Sequence, residues 1–150
     1  MPLKISLNEQ KTCEFLVYEM ANKWQEETGL PMNIWLDESQ TYLRGGHSKR
    51  LKFQLDTSDR LNPDNVGSMD LDGNIHPKNL KIPGLKSQEL TKLKNFVHNN
   101  RYALDRLADM EIRLYKAWPY VIKGGELATD TQIAALNAKV DELVSQQSKK

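Results

Sequence analysis

The chain has 150 residues, 21 Lys plus Arg against 20 Asp plus Glu, and a single cysteine. One ordinary domain fits that length, the near-neutral balance gives no global attraction to nucleic acid or membrane, and a lone Cys13 rules out an internal disulfide. The opening Met1-Pro-Leu-Lys-Ile-Ser-Leu-Asn-Glu lacks the apolar stretch of a signal peptide, no Asn-x-Ser/Thr acceptor occurs, and no run reaches a membrane span, so a soluble cytoplasmic protein is expected.

Ser6-Leu-Asn-Glu9 has the spacing of a capping box and predicts a helix to Thr28, with Cys13, Leu16, Val17, Met20 and Trp24 as its apolar stripe. On that stripe Cys13 reads as a small core residue rather than a nucleophile. Gly29 and Pro31 end the helix. Three runs of strand character follow. Met32–Asp37 is short and follows a proline; Arg50–Asp56 alternates, with Leu51, Phe53 and Leu55 opposite Lys52, Gln54 and Asp56; Met69–His76 centres on Asp72-Gly73, a hairpin signal. Asp56 to Gly67 is rich in Asp, Asn, Ser, Thr, Pro and Gly and reads as a loop.

From Ser87, Leu90, Leu93, Val97, Leu104, Leu107, Leu114 and Trp118 recur at helical spacing, while His98-Asn-Asn-Arg101 interrupts them, so two consecutive helices or one kinked helix are expected, closed by Pro119. Lys123-Gly-Gly125 reads as a linker, and Thr129-Asp-Thr-Gln132 as a second capping box. The last helix carries Ile133, Leu136, Val140 and Leu143 on one stripe, too short to stand alone in water, so it needs its own core or a second copy. The expectation is an α+β fold: an N-terminal helix, an antiparallel sheet of three to four strands, two consecutive helices or one kinked one, and a C-terminal helix. Residues 1–123 form the compact domain, and residues 124–150 form the Gly-Gly-linked helix used for packing or oligomerisation.

Three constellations bear on function. Arg44, Gly45, Gly46, His47, Lys49, Arg50 and Lys52 combine glycine freedom with cations, a setting for phosphate contacts in RNA or DNA, with His47 near a scissile group. The plainer reading is a turn before a solvated strand, favoured because Tyr42 is the only stacking residue nearby. Asp70, Asp72 and His76 fall in Asp-x-Asp-Gly-Asn-Ile, which matches the middle of a calcium loop, yet position twelve is Asn79 rather than Glu and Pro77 follows too soon. That stretch reads as a hairpin, and no metal or cofactor is expected. Trp24, Trp35, Trp118 and the pair Tyr115 and Tyr120 offer a stacking surface for bases or a partner, although Trp24 and Trp118 fall in register with helix stripes, which favours core packing. In Ile34-Trp35-Leu36 both faces of the strand are apolar, so one of them needs covering. No His-x-x-x-His, Cys-x-x-Cys, Gly-x-Ser-x-Gly or Gly-Lys-Ser/Thr motif occurs.

The order of strands, hairpin and helix over residues 32–108 resembles a small bacterial family, domain of unknown function 4160. Leu90, Leu93, Val97, Asn100, Arg101 and Leu104 match its helix, and His47 stands where that family has His-x-His. The resemblance implies a small protein of bacteria, phages or mobile elements, associated with toxin–antitoxin or defence loci. The expected function is therefore a non-enzymatic interaction or regulatory protein, binding a protein partner through a sheet edge and the loop, and dimerising through the last helix. The alternative is a nucleic-acid binder or weak nuclease using the Gly-Gly-His loop.

Overall fold

A computed structural model describes residues 20–23, 25–37, 49–55, 66–78, 80–82, 84–109 and 111–148. Among the described residues five strands run in sequential order across one antiparallel sheet: β1 Met20–Lys23, β2 Asn33–Asp37, β3 Arg50–Gln54, β4 Val66–Asp70 and β5 Ile75–His76. Helices follow, and the α+β class expected from the sequence holds.

Strand geometry sends alternate side chains to opposite faces, and here the two faces differ in chemistry. Ile34, Leu51, Phe53 and Met69 are buried in the hydrophobic cluster that the helices complete, with Ile75 packed against it. On the other face the register sets Trp35 opposite Lys52, Lys52 opposite Ser68, and Ser68 opposite His76. Trp35 is only 1% exposed yet stands outside that cluster, so the second apolar side noted in the sequence is covered. The expected hairpin joins β4 to β5, with Met69 opposite Ile75. Gly73 takes a φ of 87°, a conformation that a Cβ disfavours, and its N–H donates to the Asp70 carbonyl at 3.0 Å.

The predicted N-terminal helix needs correcting over its last part, the only part among the described residues. That part is strand β1, paired with β2 from Met20–Asp37 to Lys23–Ile34, and a single helical turn, α1, spans Gln25–Thr28. Helical spacing of apolar residues describes only a local preference, whereas the open edge of β2 offers a ladder of N–H and C=O groups to the segment that reaches it. The stripe residues Cys13, Leu16, Val17 and Trp24 lie outside the described residues, as do 56–65 of the expected loop.

Helix α2 spans Ser87–Asn99, and the Glu89 carboxylate accepts the Lys86 N–H at its entrance, at 2.9 Å. Leu93, Phe96 and Val97 are its buried apolar residues, in the same cluster as the sheet residues. It ends where the sequence breaks the stripe. Asn100 leaves helical geometry, with φ −112° and ψ 16°, and α3 resumes over Arg101–Ala108. Helix α3 ends at Ala108, the one-turn α4 spans Leu114–Ala117, and a 3-10 turn, Trp118–Tyr120, holds Pro119.

The stretch read as a linker is a strap held by hydrogen bonds. Asn100 donates its amide to the carbonyls of Phe96 (2.9 Å) and Ile122 (2.8 Å) and accepts the Ile122 N–H at 2.8 Å. Asn99 donates to the Glu126 carbonyl and accepts the Ala128 N–H, and Asn95 donates to the Gly125 carbonyl. Gly125 is buried so tightly that an added Cβ would sit 2.4 Å from the Lys92 Cβ, so only glycine lets the strap lie this close to α2. Helix α5, Asp130–Ser148, then starts with the predicted capping box: the Thr129 N–H donates to Gln132 Oε1 at 2.8 Å, and the Gln132 N–H donates to Thr129 Oγ1 at 3.1 Å. Leu136, Val140 and Leu143 are buried in the same cluster as the sheet residues. Each contributes roughly 2 kcal/mol of burial.

Candidate functional site

Of the basic cluster, Arg44, Gly45, Gly46 and His47 lie outside the described residues. Lys49 is drawn onto α3, where its ammonium meets Asp105 Oδ1 at 2.6 Å and Asp109 Oδ2 at 2.8 Å. Burial works against that charge, but the two carboxylates outweigh it and hold the lysine above its ordinary value. Lys49 therefore ties β3 to the helix layer. Arg50 stands opposite Asp70 in the sheet, and the Lys52 ammonium lies 3.5 Å from Ser68 Oγ, at the limit of a hydrogen bond.

The acidic hairpin shows the same economy. Asp70 Oδ1 accepts the N–H groups of Asp72 (2.9 Å) and Asn74 (3.0 Å), and Asp70 Oδ2 lies 2.9 Å from His76 Nε2. Burial pushes this carboxyl up, yet His76 and the two N–H groups prevail and hold it below the ordinary carboxylate range. Asp72 turns outward to an exposed ion pair with Arg101, at 2.6 Å. Asp70 and His76 are thus brought together, but as the internal brace of the turn, which is the hairpin the sequence indicates. Among the described residues no three His, Cys, Asp or Glu side chains are placed to hold a metal ion.

The stripe considered for dimerisation is turned inward. Leu136, Val140 and Leu143 are buried on the chain's own core and Ile133 is half-buried, so a dimer through these side chains would require α5 to leave that core.

Apolar surface stays open elsewhere, at the corner formed by α4 and the 3-10 turn. Tyr115 is 70% exposed and Tyr120 45%, while Trp118 is half-buried against the core. Ordinary surfaces scatter single apolar residues, but here aromatics at positions 115, 118 and 120 follow closely across α4 and the 3-10 turn, with the exposed Pro119 between them. Each ring carries a lysine. The ammonium of Lys116 lies 5.9 Å from the Tyr115 centroid, that of Lys123 4.7 Å from Trp118, and that of Lys139, reaching across from α5, 4.7 Å from Tyr120. Lys123 also donates to the carbonyls of Trp118 and Val121 at 3.1 and 3.3 Å, which fixes it beside the ring. Lys139 is held above its ordinary value, chiefly by Glu142 at 2.6 Å and to a lesser degree by Tyr120.

The sequence names these aromatics but not their partners. Lys116 and Lys123 flank the turn in the chain, whereas Lys139 is brought there by the packing of α5, which no local pattern encodes. No described helix is long and apolar enough to cross a membrane. No family model, no curated protein and no solved structure matches the chain.

Proposed function

We propose that the chain is a non-enzymatic interaction protein that binds a macromolecular partner through the corner at Tyr115–Tyr120. The observation that carries this reading is a contrast in commitment. Lys49 is engaged with Asp105 and Asp109, and Asp70 and His76 are engaged with each other inside the hairpin, whereas Tyr115 is 70% exposed with a cation beside its ring. Exposed aromatics that contribute nothing to the core are what a partner's surface recovers on binding, and Tyr and Trp are the side chains most often dominant in such contacts.

A cytoplasmic setting in a bacterium, phage or mobile element goes with this reading through the resemblance over residues 32–108. The nuclease alternative gains nothing from Lys49, whose charge is already balanced by two carboxylates. Capture from a host extract tests the proposal, comparing the wild-type chain with the double variant Tyr115→Ser/Tyr120→Ser. A defined molecule held by the wild type, lost by the variant and rebound in purified form is expected. Identical capture by both chains would remove the corner from the function.

A further inference from the structure

We infer that the exposed lysines from Lys78 to Lys94 form a second interaction surface, which takes the phosphate backbone of a double-stranded nucleic acid. The inference goes beyond the corner at Tyr115–Tyr120 and rests on different residues. It starts from an uneven charge. Residues 77–101 hold six Lys or Arg and one acidic residue, Glu89, a net of +5 in a chain whose total is +1, so the remaining residues together carry −4. The near-neutral balance of the whole chain thus conceals a local field of one sign.

These cations differ from the others in what they touch. Lys49, Arg101, Arg106 and Lys139 each meet a carboxylate. Lys78, Lys81, Lys86 and Lys94 are all exposed, and none of them forms an ion pair among the described residues. The carboxylate of Glu89 is used on the Lys86 N–H. Packing spaces the four along the length of the sheet. A Cβ added to Gly67, at the start of β4, would come 2.4 Å from Leu80 Cδ2, and one added to Gly84 would lie 3.9 Å from Leu55 Cδ1, just past the end of β3. The chain therefore crosses that end of the sheet before α2 begins. Helix α2 then runs back to the opposite end, where Lys94 Cγ lies 3.7 Å from the Cβ position of Gly73 in the hairpin.

The surroundings of these lysines select the partner. Ser87, Gln88 and Thr91, exposed between Lys86 and Lys94, carry the hydroxyl and amide groups that contact phosphates alongside lysine. The large apolar side chains exposed among the described residues are Tyr115, Tyr120 and Leu127, all outside 77–101. An acidic protein is held chiefly by aromatic and apolar anchors, an anionic bilayer is entered by apolar side chains, and a single strand stacks its bases on rings. A duplex needs none of these: it keeps its bases inside and presents one charge per roughly 1.7 Å of a straight rod. The 13 residues of α2 span about 20 Å, about six base pairs of that rod.

The test uses the full chain and labelled blunt duplexes of about 16 base pairs, DNA and RNA, long enough to accommodate α2. Binding of either sustains the inference, and the pair identifies the sugar. Four phosphate contacts predict that anisotropy titrations between about 50 and 200 mM salt show affinity falling roughly a hundredfold. In Lys86→Ala/Lys94→Ala, and equally in Lys78→Ala/Lys81→Ala, the slope of log Kd against log salt should become shallower by about 1.8, about 0.9 for each phosphate no longer neutralised. Lys92 is the internal comparison. It lies about 200° around the helix from Lys94, on the flank where its Cβ meets Gly125. Lys92→Ala removes the same charge as Lys94→Ala and should move the slope far less. Circular dichroism and unfolding curves that match the wild type confirm that the variants fold, as expected for exposed side chains.

The inference fails if neither duplex binds, if both double variants keep the wild-type slope, or if Lys92→Ala acts as strongly as Lys94→Ala, since net charge alone would then account for binding. Binding of phosphatidylserine vesicles or of oligoglutamate without binding of a duplex would overturn it in favour of a membrane or an acidic protein. Each of these failures leaves the corner reading standing, because that reading is judged by capture with and without Tyr115 and Tyr120.

Discussion

Within one stretch of chain, Asn95 to Ala128, the usual distribution of polar and apolar residues is inverted. Asn99 and Asn100 are 1% and 0% exposed, while Tyr115 and Leu127 stand mostly in water. The asparagines can be inside because their amides are used: Asn100 alone satisfies both backbone groups of Ile122 and a carbonyl of α2. The aromatics are outside although nothing in the fold needs them there. A polar group whose partners are all internal serves architecture, and an apolar side chain left largely in water offers its surface for recognition.

The largest effect should come from breaking the polar half of that contrast. Asn100→Ala removes three hydrogen bonds at a fully buried position and leaves the Ile122 N–H and C=O without these partners, a loss of about 3 kcal/mol. Asn95→Ala, which removes one bond at a half-buried position, should cost about 1 kcal/mol. Urea unfolding of the two variants measures the difference. Equal and small losses would mean that the strap is held by packing, as at Gly125 and Lys92, rather than by its amide ladder.

A middle-sized effect tests whether the hairpin belongs with the asparagines or with the corner. Because the Asp70 carboxyl is held below its ordinary value of 3.8, its contribution to stability is fully present above that value and fades as pH falls through the lower folded one. Asp70→Asn keeps an oxygen for the Asp72 and Asn74 N–H groups but loses the charge opposite His76, so it should cost about 1 kcal/mol near neutrality. The gap between wild type and variant should close in strong acid. A gap that persists there would mean that Asp70 acts by shape alone. Lys49 supplies the mirror case: held above 10.5, it stabilises below that pH and ceases to do so as pH rises through its folded value.

Much of this architecture is legible in the residues themselves. The alternation of Leu51 and Phe53 with Lys52, the Asp72-Gly73 turn, the break at Asn100 and the Thr129–Gln132 cap depend on neighbours within a few positions, and the structure has all four. What escapes the sequence depends on distant partners. Met20–Lys23 is strand because β2 lies beside it, and Lys123-Gly-Gly125 is a strap because asparagines 22 to 30 residues away in the chain reach it. The candidate site divides along the same line. Tyr115 and Tyr120 are visible only as aromatics able to form a stacking surface, and their exposure comes from the structure; Lys139 joins them through the packing of α5, whose stripe admits a core or a second copy when read alone.

The smallest expected effect tests the apolar half of the contrast most directly. Tyr115→Ser/Tyr120→Ser removes two rings that lie largely in water, and the two ring–lysine contacts are solvent-exposed pairs of the weak kind. Lys139 keeps its ion pair with Glu142, and the core beneath is filled by Leu114, Ala117 and Val121, none of which changes. The stability of the double variant should therefore lie within about 1 kcal/mol of the wild type, near the range of ordinary surface substitutions. A loss above about 2 kcal/mol would show the tyrosines to be structural, because exposed side chains that recognise a partner cannot also carry a large share of the free energy of folding.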